Sequence, residues 1–198
     1  MLMSEHIVRA SYSNRTVRVY QAYSPEIAIP ALSAGRFVPP FSMKRMTWIK
    51  PSFNWMMYRS GYGTKPGQEV VLGIDITREG FEWALKNAVL SKFVLAVHST
   101  PETWKNLLVV KPVRIQWDPE RDWSLNVIAG VRAIQIGLSG EAVTRYVNQW
   151  IVHIEDVTPV ARTVAAAVAS GQPPPNLPST SEHIYPLDAT MTATICSF

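Results

Sequence analysis

The hydrophobic and polar positions of this chain fall into short segments with either strand or helix periodicity. Segments rich in β-branched and aromatic residues are typical of strands. They predict strands at residues 16–23, 69–76, 92–97, 109–117 and 131–138, and an ordered loop or short strand at 41–50. The charged segment 118–122 predicts a turn.

Helix starts are marked by residues that can cap a first turn. Ser24, Ser52, Thr77 and Thr100 each stand where a side-chain oxygen can accept a hydrogen bond from first-turn amide groups. Glycines, which are typical of helix ends, follow the first two predicted helices. The clearest helix is predicted at 141–154, where apolar residues recur at helical spacing.

These elements predict an α+β fold, with a mixed, mostly antiparallel sheet and helices packed on it. The length of 198 residues suits a single domain, which we place at residues 1–169. Residues 170–198 begin with a Pro/Ser-rich stretch. We expect a tail that is either disordered or extended over the domain, with Ile184, Tyr185 and Leu187 able to dock.

The composition is that of a folded chain, with 47% hydrophobic and 17% charged residues. Cys196 is the single cysteine, so an intramolecular disulfide is excluded and a reducing compartment is favoured. The N-terminus lacks a signal-peptide pattern, and no window approaches the apolar length of a membrane span. We therefore expect a cytoplasmic protein without a membrane-spanning segment.

The net charge of +4 is unevenly distributed. Residues 1–60 hold eight Lys and Arg against two Glu, a net charge of +6, while the remainder holds eleven cations against thirteen acids, a net charge of −2. This distribution favours an anionic partner, such as a nucleotide or nucleic acid, bound by the N-terminal part. The alternative is an ordinary solvated basic face.

The common catalytic motifs are absent from the sequence, including phosphate loops, dinucleotide-binding turns, the zinc-protease motif and the serine-hydrolase elbow. The four histidines are scattered, so no metal site is predicted.

Residues 43–62 form a basic–aromatic segment. It contains Trp48, Phe53, Trp55, Tyr58 and Tyr62 beside Lys44, Arg45, Lys50 and Arg59. Aromatic faces stack on bases or nicotinamide, and Lys and Arg bind phosphate. Ser52 and the helix that follows it would add backbone donors for an anion. The alternative is that the rings fill a core and the charges extend into solvent.

Four stretches carry a resemblance to a known family: TVRVYQAYSPEIA, RMTWIKPSFNWMMYRSGYG, VRIQWDPERD and AIQIGLSGEAV. Over about residues 8–158 the chain closely resembles a bacterial and fungal family catalogued as domain of unknown function 4291. This resemblance implies kinship without implying an activity.

The stretch VYQAYSPEIAIPALSAGRF is also similar to the opening of ADP-ribosyltransferase folds. In those enzymes the first motif holds the ribose and carboxamide of NAD. The resemblance puts Gln21 at the position of the motif's His, with Arg18 and Tyr23 nearby. The stretches SFNWMMYRSGYG and EVVLGIDI are similar to the second motif, whose ring stacks on nicotinamide, and this implies that role for Tyr58 or Tyr62.

The third motif of those enzymes is a Glu that stabilises the transition state, and the resemblance leaves Glu120 and Gln135 as its candidates. A carboxylate supplies electrostatic stabilisation that an amide cannot. With Gln135 in that position, the domain would bind a nucleotide without turning it over. A transferase would need Glu120, Glu141 or Asp118 to lie in a cleft beside Tyr58 and Arg18.

The sequence therefore predicts a nucleotide-binding domain resembling NAD-dependent ADP-ribosyltransferases, with NAD as cofactor and a nucleic acid as a possible target. The alternatives are a nucleic-acid-binding module without catalysis and a non-catalytic interaction domain. The residues expected to bind the cofactor are Arg18, Gln21, Tyr23, Trp48, Lys50, Ser52, Tyr58, Arg59 and Tyr62.

Overall fold

The structure, a computed structural model, describes residues 5–174 and 176–196 and shows an α+β fold with mostly antiparallel sheets. Its strands are β1 (Arg9–Ala10), β2 (Thr16–Tyr23), β3 (Thr47–Ile49), β4 (Val70–Thr77), β5 (Ala88–Leu90), β6 (Val113–Arg121), β7 (Val127–Leu138), β8 (Ile151–Asp156) and β9 (His183–Ile184). Its α-helices are α1 (Pro25–Ala34), α2 (Phe53–Ser60), α3 (Arg78–Lys86), α4 (Leu95–His98), α5 (Pro101–Val110), α6 (Glu141–Arg145), α7 (Thr158–Ser170) and α8 (Ala189–Ile195). Within these residues, no helix has the length and apolar character needed to cross a membrane.

The strands form three sheets. One has the order β2-β4-β8, a second has the order β3-β7-β6-β5, and β1 pairs with β9. All pairs are antiparallel except β5 with β6. The two larger sheets are joined through one isolated backbone bridge between Tyr20 and Lys50. The junction of the two sheets therefore lies at the C-terminal half of β2.

The main core lies on one face of the β2-β4-β8 sheet. The alternation in β2 places Val17 and Val19 on this face, where they pack with Leu72 and Ile74 of β4. The other face carries a second cluster, in which Tyr20 and Val71 pack with residues of α2 and α7. Both faces of this sheet are therefore covered, and side chains that alternate along β2 enter different surroundings.

The helix α2 is fixed at both ends by the residues that predicted it. The Ser52 side chain accepts a hydrogen bond from the Trp55 amide, and Gly61 adopts a left-handed conformation with φ 61° at the C-terminal end. The predicted helices after Ser24, Thr77 and Thr100 are confirmed as α1, α3 and α5.

The predicted helix at 141–154 is confirmed as a helical segment as far as Trp150 and is wrong for residues 151–154. The α-helix ends at Arg145, a π-helical turn follows at Tyr146–Trp150, and β8 then runs along β4. The apolar spacing fits a helix, but pairing with a buried strand outweighs that local preference.

Two other predicted segments also differ. The predicted strand at 92–97 is wrong, because the strand lies earlier, at β5, and α4 occupies Leu95–His98. The predicted turn at 118–122 is wrong as well, since β6 continues to Arg121 alongside β7 with a shift in register near Pro119. A Pro in a strand is accommodated where such a bulge interrupts the ladder.

The C-terminal segment, for which an extended or disordered tail is predicted, contains β9, α8 and a 3-10 helix at Pro178–Ser181. Tyr185, Met191 and Ile195 are buried in the main core cluster. Leu187 is partly buried against that cluster, whereas Ile184 is exposed.

Candidate functional site

The candidate site lies where β2 and β3 separate. The Tyr20 amide donates to the Lys50 carbonyl at 2.7 Å, and the Lys50 amide donates to the Tyr20 carbonyl at 3.2 Å. Beyond this bridge, side chains instead of backbone groups connect the strands: Gln21 Nε2 donates to Thr47 Oγ1 at 2.6 Å and to the Trp48 carbonyl at 3.2 Å.

This separation contributes to a cavity of about 570 Å³, here called the Lys50 cavity. It lies between the end of β2, the loop before β3, β3 itself, α2 and residues 66–68. Its charged and aromatic lining residues are Tyr23, Phe41, Arg45, Trp48, Lys50 and Arg59. Its volume is within the range of small-molecule and cofactor sites.

The charge of the Lys50 cavity has one sign. Arg45 and Arg59 are exposed at its wall and Lys50 is buried in it. Among the described residues that line it, none is Asp or Glu. The field inside the cavity therefore favours an anionic ligand.

Lys50 is 7% exposed, and its ammonium group has no carboxylate within ion-pair distance among the described residues. Nζ donates to the Trp48 carbonyl at 3.0 Å and lies 5.6 Å from the centre of the Trp55 ring. Burial lowers the pKa of Lys50 to about 7, the charge of Arg59 acts in the same direction, and Asp118 opposes it. Near neutral pH this amine can therefore either hold or give up a proton.

Gln21 forms the centre of a buried polar network at the inner end of the cavity. Its Oε1 accepts from the Tyr146 hydroxyl at 2.7 Å, and its Nε2 donates to the Tyr23 hydroxyl at 3.0 Å. Tyr23 and Thr47 hydroxyls are 2.7 Å apart. Burial raises the pKa of Tyr23 to about 12, against the hydrogen bonds from Thr47 and Gln21. Gln21, Tyr23 and Thr47 therefore form an uncharged wall of the cavity, and the Tyr146 hydroxyl holds Gln21 in place.

Arg18 does not line the Lys50 cavity. Its Nε and Nη2 donate to the two oxygens of Asp75 at 2.6 and 2.8 Å, and its Nη1 donates to Glu155. Burial alone would lower the pKa of Arg18, but the hydrogen bonds and charges of Asp75 and Glu155 outweigh it and raise that pKa. Arg18 lines a second cavity, over the face of β2 that also carries Tyr20.

Glu120 and Ser52 meet at the start of α2. Ser52 Oγ donates to Glu120 Oε1 at 2.8 Å, and the Arg121 amide donates to the same oxygen at 2.8 Å. The Glu182 carboxylate accepts from the Phe53 amide at 2.7 Å. Burial raises the pKa of Glu120, and burial together with the charge of Glu120 raises the pKa of Glu182 to about 8. Neither carboxyl group lines the Lys50 cavity.

Gln135 lies on β7 opposite Gln116 of β6. Its Nε2 donates to Asp118, and Gln116 Nε2 donates to Asp118 Oδ1 at 3.0 Å. Asp118 is the carboxylate whose charge acts on the pKa of Lys50. Gln135 thus holds an acidic side chain next to the cavity without lining the cavity itself.

The two predicted nicotinamide-stacking rings both lie outside the Lys50 cavity. Tyr58 is 42% exposed, and the Arg121 guanidinium lies 3.8 Å from its ring centre. Tyr62 has φ 58°, and its hydroxyl is buried without a hydrogen bond to any described residue. Burial raises the pKa of Tyr62.

The Lys50 cavity therefore brings together Gln21, Tyr23, Trp48, Lys50 and Arg59 of the predicted site residues. Sequence reasoning did not select other residues that build it. Arg45 belongs to the basic–aromatic segment and could have been chosen on charge. Thr47 and Tyr146 carry no such signal, because Thr47 sits in a short strand and Tyr146 fits an apolar stripe.

A comparison with protein families matches residues 7–185 to the family described as "Domain of unknown function (DUF4291)". The match covers most of the chain, and the chain belongs to this family. No curated protein matches the chain significantly.

Proposed function

We propose that this member of the DUF4291 family binds a nucleotide in the Lys50 cavity. The observation that carries the proposal is the cavity lining, in which three cations and three aromatic rings occur without a carboxylate among the described residues. A nucleotide combines the two matching features, an anionic phosphate and a flat ring.

The phosphate group is assigned to Arg45, Lys50 and Arg59. Arginine binds phosphate through paired N–H groups, and lysine binds it as a point charge. The pKa of Lys50 is lowered to about 7 in the folded chain, and a phosphate beside this amine would favour its protonated form. Binding is therefore coupled to proton uptake by Lys50 at a pH near or above 7.

The flat ring of the nucleotide is assigned to Trp48. The Trp48 indole lies against the backbone of Gly137, where an added Cβ would come within 3.0 Å of two indole carbons. Gly137 thus allows the indole to lie close to β7. A fixed indole is a good stacking surface, because each stacked base contributes about 1–3 kcal/mol.

Transfer of ADP-ribose from NAD would require more than binding. Such a reaction needs a carboxylate at the reacting ribose to stabilise developing positive charge. Glu120 faces the start of α2, and Gln135 is an amide bound to Asp118. None of Glu120, Glu141 and Asp118 lines the Lys50 cavity, so this arrangement supports binding more strongly than transfer.

A melting-temperature experiment tests the proposal with NAD, ADP-ribose, ATP and a short RNA as ligands. A ligand at about a hundred times its dissociation constant stabilises the fold by roughly 2.7 kcal/mol, a shift of several degrees at this size. Arg59→Ala and Trp48→Ala are expected to abolish most of the shift, whereas Lys105→Ala, which removes an exposed cation on α5, is expected to keep it.

Absence of a shift with every ligand would overturn the proposal, as would a shift that Arg59→Ala and Trp48→Ala leave unchanged. Proton uptake is measured separately by calorimetry in two buffers of different ionisation enthalpy. A nucleotide that binds without proton uptake at pH 8 would contradict the role of Lys50.

A single-stranded nucleic acid is the second candidate, because Lys44 and Arg45 are exposed beside the cavity and extend its positive surface. Binding of a single-stranded nucleic acid predicts that RNA raises the melting temperature more than ATP does. This rise is expected to fall steeply as the salt concentration increases.

A further inference from the structure

A second cavity, of about 470 Å³, lies over the face of β2 that carries Thr16, Arg18 and Tyr20 and is here called the Tyr20 cavity. One wall is the β2-β4-β8 sheet, from which Arg18, Tyr20, Asp75 and Glu155 enter it. The start of α7 and the 3-10 helix at Pro178–Ser181 form the opposite side.

The charge of the Tyr20 cavity is opposite to that of the Lys50 cavity. The described residues that line it include three carboxylates, on Asp75, Glu155 and Asp156, and a single cation, Arg18. Arg18 binds both oxygens of Asp75 and one oxygen of Glu155. These ion pairs hold the carboxylates of Asp75 and Glu155 in place. Three carboxylates against one guanidinium still leave the lining with excess negative charge.

The position of Arg18 depends on Gly73. A Cβ at this position would lie 2.5 Å from Arg18 Nη1. The guanidinium therefore lies close to the backbone of β4 at Gly73, in space that any larger residue would fill.

The Tyr20 hydroxyl provides an independent indication of a ligand. Tyr20 is 3% exposed and lines the cavity. Its ring packs against Phe53, but its hydroxyl makes no hydrogen bond to any residue that the structure describes. In the described part of the chain, the fully buried side-chain atoms without a partner belong to other residues, so the Tyr20 hydroxyl keeps contact with the space of the cavity. An accessible hydroxyl without a protein partner on the wall of an acidic cavity can bond to a group bound there.

We propose that the Tyr20 cavity binds a small organic cation that carries a primary ammonium group. Such a group has three N–H donors and needs three acceptors. The second carboxylate oxygens of Glu155 and Asp156 and the Tyr20 hydroxyl supply them, since none of these three has a hydrogen bond within the described part of the chain.

An organic cation fits this cavity better than a metal ion. In residues 5–174 and 176–196, no group of three or more His, Cys, Asp or Glu is arranged to hold a metal. Arg18 also lies within the acidic cluster, where at equal distance it would repel a divalent ion about twice as strongly as a singly charged ammonium group. An ammonium on an alkyl chain can place its charge at Glu155 and its methylene groups against Val157 and Val160.

Isothermal titration calorimetry of the full chain with putrescine tests the proposal, with 1,4-butanediol as an uncharged ligand of the same length. Putrescine is expected to bind and butanediol is not. Tyr20→Phe keeps the ring and removes the hydroxyl, and we expect it to weaken putrescine binding about three- to tenfold. Glu155→Gln is expected to weaken it about tenfold or more.

Glu102→Gln is the matched control, because it removes an exposed carboxylate on α5 outside the cavity. It is expected to leave putrescine binding unchanged. The proposal is overturned if putrescine does not bind, if butanediol binds equally well, or if Tyr20→Phe and Glu155→Gln weaken binding no more than Glu102→Gln does. Melting curves without ligand confirm that each variant is folded.

Discussion

Tyr20 and Gln21 are consecutive residues of β2, yet their side chains line two different cavities. Side chains alternate between the two faces of a strand. Tyr20 enters the acidic cavity on the face that also carries Arg18, and Gln21 enters the basic cavity beside Lys50. A single strand thus separates two sites that favour ligands of opposite charge.

The burial of Lys50 predicts a pH-dependent effect of Lys50→Met. Burial lowers the pKa of this side chain from 10.5 to about 7. Between these two values the unfolded chain holds a proton that the folded chain lacks, so this group makes stability rise with pH across that window. We expect the variant to be more stable than the wild type at pH 6 by about 1–3 kcal/mol, with a smaller advantage at pH 10.

Urea unfolding of both proteins at several pH values measures this difference. Lys105→Met, at an exposed position, is the control and is expected to show no such trend. A stability difference between Lys50→Met and the wild type that is constant from pH 6 to pH 10 would contradict the lowered pKa.

Glu182 predicts a pH dependence of the opposite sign. Burial raises its pKa from 4.5 to about 8, and the charge of Glu120 contributes. In that window the folded chain holds a proton that the unfolded chain has released, so stability falls as pH rises from about 4.5 to 8. Glu182→Gln removes the titration and keeps an oxygen that can accept from the Phe53 amide. We expect this variant to gain stability relative to the wild type as pH rises through the window.

Thermal unfolding of Glu182→Gln, Glu102→Gln and the wild type between pH 5 and pH 8 checks this expectation. The exposed Glu102 serves as the control. Parallel curves for all three proteins would show that Glu182 titrates in its ordinary range.

The contact between Gly73 and Arg18 predicts a coupled loss of stability. Gly73→Ala places a Cβ 2.5 Å from Arg18 Nη1 and 3.0 Å from Val157 Cγ1. Overpacking of this kind costs about 1–3 kcal/mol. In an Arg18→Ala background the first clash is absent, so the same substitution is expected to cost less.

A double-mutant cycle measured by urea unfolding gives the coupling energy between the two positions. An equal cost of Gly73→Ala in both backgrounds would mean that Arg18 moves aside freely. In that case the ion pairs with Asp75 and Glu155 would not fix its position.

Local sequence signals predicted β2, α1 and α2, because strand composition, capping side chains and left-handed glycines act within a few residues. The same signals failed at 151–154, where the apolar spacing still fits a helix but the chain forms β8. Pairing with β4, which lies far away in sequence, decides the outcome there.

The candidate site was predicted in part for the same reason. Lys50, Trp48 and Arg59 lie close together in sequence and also line one cavity. Arg18, in contrast, binds Asp75 and Glu155, which are 57 and 137 residues away. No local pattern shows such a partnership, so Arg18 was expected to bind the cofactor.

The pairing of β2 with β4 also determines which side chains of β2 enter the Tyr20 cavity. A slip of one residue in this pairing would turn Arg18 and Tyr20 toward the main core and bring Val17 and Val19 to the polar side. The free energy gained by burying Val17 and Val19 therefore also keeps Arg18 next to Asp75 and keeps the Tyr20 hydroxyl at the acidic cavity.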